Sequence, residues 1–215
     1  MKKYLSIFIF FASFLSYGQK SIYFSIPLPP DSENIFKVDS KHHGTYIDEK
    51  RGTQYLVNET GIYTTTIMIS SISKETVRED AKYDVRNGYL FGVNKDSLPC
   101  ILEEERYYFG IRKTTLIIGE GSLNVLTKTS KDQYILNIEE GENYTPVLIE
   151  FNGGNMEMNY FDYEPKTEAY NFINDTHTIE MNYFKLLLLE PTQKEYKEIL
   201  KLKPFSDQII LKKEK

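Results

Sequence analysis

The chain has 215 residues, with 26 basic against 31 acidic side chains and a formal net charge of −5. Lacking any basic run, it has no electrostatic footprint for nucleic acid or anionic lipid, and with a single cysteine it cannot close an internal disulfide. Stability must therefore come from packing, and 17 tyrosines and 13 phenylalanines against no tryptophan say what packs.

The chain opens with Lys2 and Lys3, an apolar run from Tyr4 to Leu15, and small residues Ser16 and Gly18. That order predicts a signal peptide over 1–18, since the run is too short for a hydrocarbon core that needs about 20 residues. The Phe-rich leader and its "YGQ" junction resemble the leaders of secreted Bacteroidota proteins. The expectation is an exported chain, periplasmic or extracellular, with no integral membrane span after cleavage.

Residues 19–33 read as a stiff lead-in, because Pro27, Pro29 and Pro30 hold the backbone extended. From 34 to 215 one β-rich domain is expected. Asn87-Gly88 supplies the positive φ of a two-residue hairpin turn, and Asn152-Gly153-Gly154-Asn155 does the same. Weaker stops stand at 58–61, 119–122 and 140–143. Tyrosine-rich and β-branched runs between these turns predict a mainly β fold, an antiparallel meander closed as a barrel or folded as a sandwich. Period-2 alternation in Tyr134, Leu136 and Ile138, in Val147, Ile149 and Phe151, and in Met156, Met158 and Tyr160 predicts one core face and one wet face.

"EMNYF" occurs at 157–161 and again at 180–184 with no further repeat, which reads as two strands meeting similar packing demands. Thr192 and Glu195 stand at capping-box spacing after Pro191, and Tyr196, Ile199 and Leu200 form an apolar stripe, so one C-terminal helix is expected near 192–202. A last strand is expected over 208–211. Gly44-Thr45-Tyr46 near the first strand, with the late helix, resembles a lipocalin-type barrel, although lipocalins carry tryptophan where Tyr46 stands. That resemblance implies an antiparallel barrel and assigns no binding residues here.

The candidate chemistry is sparse. Cys100 precedes Glu103, Glu104 and Glu105, and neighbouring acids disfavour the thiolate that a nucleophile needs. A small buried hydrophobe is the better reading of Cys100, and a polar hairpin loop the better reading of 103–106. His42-His43 lacks further ligands at metal spacing and reads as a solvated strand entry. No metal and no cofactor is expected. What remains is aromatic: Tyr107, Tyr108, Phe109, Tyr160 and Tyr183 are the candidate surface for a ligand or partner, because paired rings on a strand put one ring inward and one outward.

These features point to a non-enzymatic secreted or periplasmic protein that binds a small apolar ligand or a protein partner. One alternative is a hydrolase whose acids, among Glu103–Glu105, Glu139, Glu140 and Asp162, meet only in three dimensions. The other is an envelope-associated structural factor.

Overall fold

The computed structural model describes residues 20–95, 97–162, 167–181 and 184–214. The leader over 1–18 lies outside these residues, as do Tyr183 and part of the second "EMNYF". In chain order the first strands are β1 (Lys20–Phe24), β2 (Asn34–Ile35), β3 (Gly44–Asp48), β4 (Thr53–Asn58), β5 (Gly61–Ser73), β6 (Asp84–Arg86), β7 (Tyr89–Phe91) and β8 (Leu98–Glu103). There follow β9 (Arg106–Gly119), β10 (Val125–Lys128), β11 (Gln133–Glu140), β12 (Asn143–Asn152), β13 (Asn155–Phe161), β14 (Thr176–Met181), β15 (Phe184–Leu189) and β16 (Phe205–Lys213). Among the described residues two α-helices accompany them, α1 (Lys74–Glu79) after β5 and α2 (Gln193–Lys201) before β16. The protein is thus mainly antiparallel β, with the expected C-terminal helix and one short helix that the sequence pattern did not announce. No helix among the described residues is long and apolar enough to cross a membrane.

The described residues fall into two compact units, one drawn from 20–36 and 121–210 and the other from 37–120 and 211–214. In sequence, residues 37–120 of the second unit interrupt the first.

In the first unit β11, β12 and β13 form an antiparallel meander, with β10 and then β2 added beyond β11. Gly153 and Gly154, at φ 57° and 87°, form the two-residue turn between Asn152 and Asn155, the positive-φ pair that such hairpins require. β1 departs from the meander: it runs parallel to β15 from Lys20–Lys185 to Phe24–Leu189 and touches β12 antiparallel at Phe24–Tyr144. Ile22, Phe24, Leu28, Ile135, Phe161, Tyr170, Ile173, Leu189, Tyr196 and Ile199 make the core. Its aromatic centre is Phe161, edge-on to Phe24 at 5.2 Å and to Phe205 at 5.7 Å, the arrangement that ring quadrupoles favour.

The residues of the proline-rich segment enter this core. Leu28 is fully buried, and its backbone is held by Asn137, whose Nδ2 donates to the Leu28 carbonyl and whose Oδ1 accepts from the Leu28 amide, each at 2.8 Å. Asn137 exposes 0 % of its surface, so this clamp satisfies two main-chain groups that no water reaches. The expectation of one wet face therefore fails on β11. Ile135 and Asn137 are buried along with Tyr134 and Leu136, because the strand is covered on both sides. On β13 Met156 and Met158 are buried as expected, Tyr160 is half-buried, and Asn159 is buried as well.

Helix α2 begins as its sequence foretold. The Thr192 side chain accepts from the Glu195 amide, while the Glu195 carboxylate accepts from the Thr192 amide at 2.8 Å. Asn174 donates to the other oxygen of Glu195 through its own amide at 2.9 Å and its Nδ2 at 2.7 Å. These donors hold the carboxyl of Glu195 below the ordinary glutamate range.

In the second unit the strand order runs β3-β4-β5-β9-β8-β7-β6, antiparallel throughout, and the end of β16 pairs with β3 at Lys212–Ile47 and Lys213–Tyr46. Neither unit's strand order returns on itself, so the barrel closure implied by the lipocalin-type resemblance is absent among the described residues. Tyr46 is buried, its hydroxyl donating to the His42 carbonyl at 2.8 Å. His42 itself is buried in a 3-10 turn over Ser40–His42. This corrects the expectation of a solvated histidine pair: the turn folds His42 inward, and the His43 ring meets the Val38 carbonyl at 3.2 Å. Gly61, at φ 144°, opens β5 so close to β9 that a Cβ there would meet the Ile118 carbonyl oxygen at 1.8 Å. Register shifts beside it, between Ile62 and Tyr63, the signature of a β-bulge.

Candidate binding surface

The stretch around Cys100 forms a hairpin in the second unit. Strands β8 and β9 pair from Cys100–Phe109 to Glu103–Arg106. Glu104 and Glu105 make the two-residue turn at φ 45° and 62°, a left-handed pair that Asn-Gly fills more readily. The polar loop expected over 103–106 is thus present. Glu105 is tied down by Lys74, through the Lys74 amide to the Glu105 carbonyl at 2.9 Å and Nζ to the carboxylate at 3.2 Å.

Cys100 stands opposite Phe109 and is a free, half-buried thiol whose pKa burial pushes up. Deprotonation is disfavoured there, as the reading of a small hydrophobe requires.

Opposite residues of an antiparallel pair share a face, and this sorts the candidate aromatics. Phe109 is buried with Leu90; its face also carries Cys100, Ser70 and half-buried Tyr107, opposite Leu102 and Ile72. Tyr108 lies on the other face, opposite Ile101 and Ser71, and is half-buried. That second face is the more exposed one: Ile101 and Ile69 each leave 73 % of their surface in solvent and Ile67 61 %, against 52 % for Met68 and 48 % for Leu102 on the first. Pro99 and Tyr89 face each other on it towards β7.

Gly110, opposite Ile69 on β9, leaves a floor without a side chain, and Ile67 leans over it so closely that an added Cβ would meet Ile67 Cγ2 at 2.8 Å. The result is an open groove of about 510 Å³ lined by Ile67, Asn94, Leu98, Pro99, Gly110 and Arg112. Arg112, opposite Ile67, is exposed and has no ion-pair partner among the described residues. Of the other predicted residues, Tyr160 is half-buried in the first unit, opposite Val147, and Tyr183 lies outside the described residues.

The acids weighed for catalysis lie on separate features. Glu103, Glu104 and Glu105 are exposed on the β8–β9 hairpin. In the first unit Glu139 and Glu140 end β11, where Glu140 accepts from Thr145 at 3.4 Å. Asp162 sits near Tyr170, helping burial to push that phenol up to about 12.

A carboxylate pair does exist outside those candidates: Glu150 and Glu157 are directly opposite on β12 and β13. Like charges so placed repel, and amides offset this. Gln133 and Asn159 donate to Glu150 at 2.6 and 3.1 Å, and Gln208 to Glu157 at 2.9 Å. The pair lines an open polar groove of about 390 Å³ with Ser130, Lys131, Asp132 and Gln133. Its signal was legible in "EFNGGNME", where the two acids stand at equal distance from a two-residue turn and so fall face to face. No group of three His, Cys, Asp or Glu able to hold a metal ion occurs among the described residues.

No family model, curated protein or solved structure matches this chain.

Proposed function

We propose that the chain is an exported, non-enzymatic β protein that binds a protein partner through the exposed apolar face of strands β5, β9, β8 and β7. The observation that carries this reading is the cluster of Ile67, Ile69 and Ile101, each more than three-fifths exposed on one sheet face beside Tyr108 and Pro99. Contiguous aliphatic surface of this kind, with an aromatic ring inside it and arginine at its rim, has the make-up of an interface core. The filled aromatic core of the first unit favours a protein partner over an enclosed small ligand.

Export rests on the leader, and N-terminal sequencing of the cell-free protein should begin at Gln19.

The partner reading is tested by replacing Ile101 with a photo-crosslinking residue in the native cell. An adduct of protein mass, lost when Ile69→Glu is added, is the expected outcome; no adduct contradicts it. A lipid-sized adduct would instead support a second reading, a small apolar ligand in the 510 Å³ groove over Gly110. The hydrolase alternative keeps one observation in its favour, the opposition of Glu150 and Glu157; an activity that Glu157→Gln abolishes without unfolding the chain would establish it.

A further inference from the structure

This inference rests on the partner reading above and names the partner. Strand β5 is paired on both sides only along its first half. β4 covers it from Asn58–Gly61 to Gln54–Thr65, whereas β9 follows it all the way to Ser73. Beyond the end of β4, residues 67–73 present a bare edge, "IMISSIS", with no charged residue and no proline. Natural sheets blunt such edges with lysine, proline or a covering element; this one has neither lysine nor proline, and no strand among the described residues pairs with it.

The main-chain groups at the edge are fixed by alternation. The Lys74 amide donates to the Glu105 carbonyl, which sets Lys74 and, two by two, Ile72, Ser70 and Met68 as the residues bonded to β9. The N–H and C=O groups of Ile67, Ile69 and Ser71, and the N–H of Ser73, therefore point outward; the Ser73 carbonyl begins helix α1. This outward set maps onto itself when the strand is reversed about Ser70, the midpoint of the bare stretch. A two-fold axis there pairs Ile69 with Ser71 of the second copy, each with both main-chain groups available, and Ile67 with Ser73 of the second copy, which offers its amide alone because its carbonyl caps helix α1.

Charge fits the same operation. The β3–β4 hairpin tip adjoins the Thr65 end of the edge and carries Lys50, while α1, at the Ser73 end, carries Glu75 in its first turn. Neither Lys50 nor Glu75 has an ion-pair partner among the described residues. Antiparallel pairing of two copies brings each tip to the other copy's helix, so the two free opposite charges meet twice, while the uncharged edge adds no repulsion.

We propose that the bare edge of β5 is a homodimerisation site, where a second copy of this chain adds its own residues 67–73 antiparallel about Ser70 and extends the apolar face across the two-fold.

The test uses the full chain in sedimentation equilibrium and mild oxidation. The expected result is a dimer whose dissociation constant rises at least tenfold with Ile69→Lys and is unmoved by Leu123→Lys, a substitution at an exposed leucine of the first unit. With Cys100→Ala to remove the native thiol, Ser70→Cys should yield a disulfide-linked dimer. The axis sets Ser70 opposite itself in a non-hydrogen-bonded pair with a Cα separation of about 4.5 Å, within disulfide reach. This near-isosteric change keeps the test open where the lysine variant does not fold. A chain that stays monomeric throughout, a dimer indifferent to Ile69→Lys, or a Ser70→Cys chain that does not cross-link overturns the proposal. A monomer would leave the partner reading standing on the Ile101 adduct with a different protein, so the two fail separately.

Discussion

Asn137→Ala is the most severe single change that the first unit offers. Asn137 and Leu28 are both fully buried, and the asparagine side chain is the hydrogen-bond partner of the leucine amide and carbonyl, each at 2.8 Å. Alanine removes both bonds and admits no water in their place. A buried main-chain group left unpaired costs about 1–3 kcal/mol, so the two together should cost about 2–6 kcal/mol. Against a typical domain stability of about 5–15 kcal/mol, this is a large share. Guanidinium unfolding followed by tyrosine fluorescence should show the midpoint fall with little change in slope. Asn137→Asp sharpens the test. Its carboxylate still accepts from the Leu28 amide but faces the Leu28 carbonyl without a proton to donate. It should be at least as damaging near neutral pH and recover in acid, where the carboxyl can donate again. An alanine cost below about 1 kcal/mol, or an aspartate variant indifferent to pH, would refute the clamp as the anchor of residues 25–30.

The Glu195 capping box makes a pH-dependent contribution. Because its carboxyl is held below the ordinary glutamate value, the stability it adds is full above that value and is lost as pH falls through the depressed one. Glu195→Gln should flatten the acid limb of the stability curve and cost about 1–2 kcal/mol near neutrality; an unchanged acid limb would contradict this. At the other extreme, burial pushes Tyr170 and Tyr196 up to about 12. Their neutral forms stabilise the fold fully below the ordinary tyrosine value, and that stability is lost as pH rises towards 12. Phenolate absorbance should therefore lag behind that of exposed tyrosines and then rise with unfolding; a single transition near 10 would contradict it. Gly61→Ala should prevent the β5–β9 ladder from closing at its bulge, since its Cβ would lie 1.8 Å from the Ile118 oxygen, and a thermal midpoint within a few degrees of the parent would show that reasoning wrong.

Local chemistry was legible in the sequence wherever a few neighbouring residues decide the outcome. Asn87-Gly88, Gly153-Gly154 and the Thr192–Glu195 box each form what their types predict, and the polar turn after Cys100 does too, although with glutamates in left-handed positions. What was not legible has three physical causes. The parallel partner of β1 lies about 165 residues away, and no local pattern encodes a pairing of that separation. Burial on β11 was misjudged because alternation reports one covered face and cannot see the second layer that buries Asn137 and Ile135. Helix α1, six residues long, is shorter than two turns and leaves no apolar stripe to read.

The candidate surface was half visible. Tyr108 is one of the sequence candidates, whereas Ile67, Ile69 and Ile101, which make it a surface, carry no signal that separates them from other strand aliphatics. Their exposure among the described residues follows from the fold, where Gly110 puts no side chain between them.

The outer edge and face of β5 are built to be covered, and residue-resolved hydrogen exchange measures this directly. In dilute chain the amides of Ile67, Ile69 and Ser71 should exchange at nearly unprotected rates, while those of Met68, Ser70 and Ile72, bonded to β9, stay protected. At high concentration, the first set should slow at least tenfold and the second should change little. Equal protection of the two sets in dilute chain, or no slowing of the outward amides at any concentration, would contradict the claim.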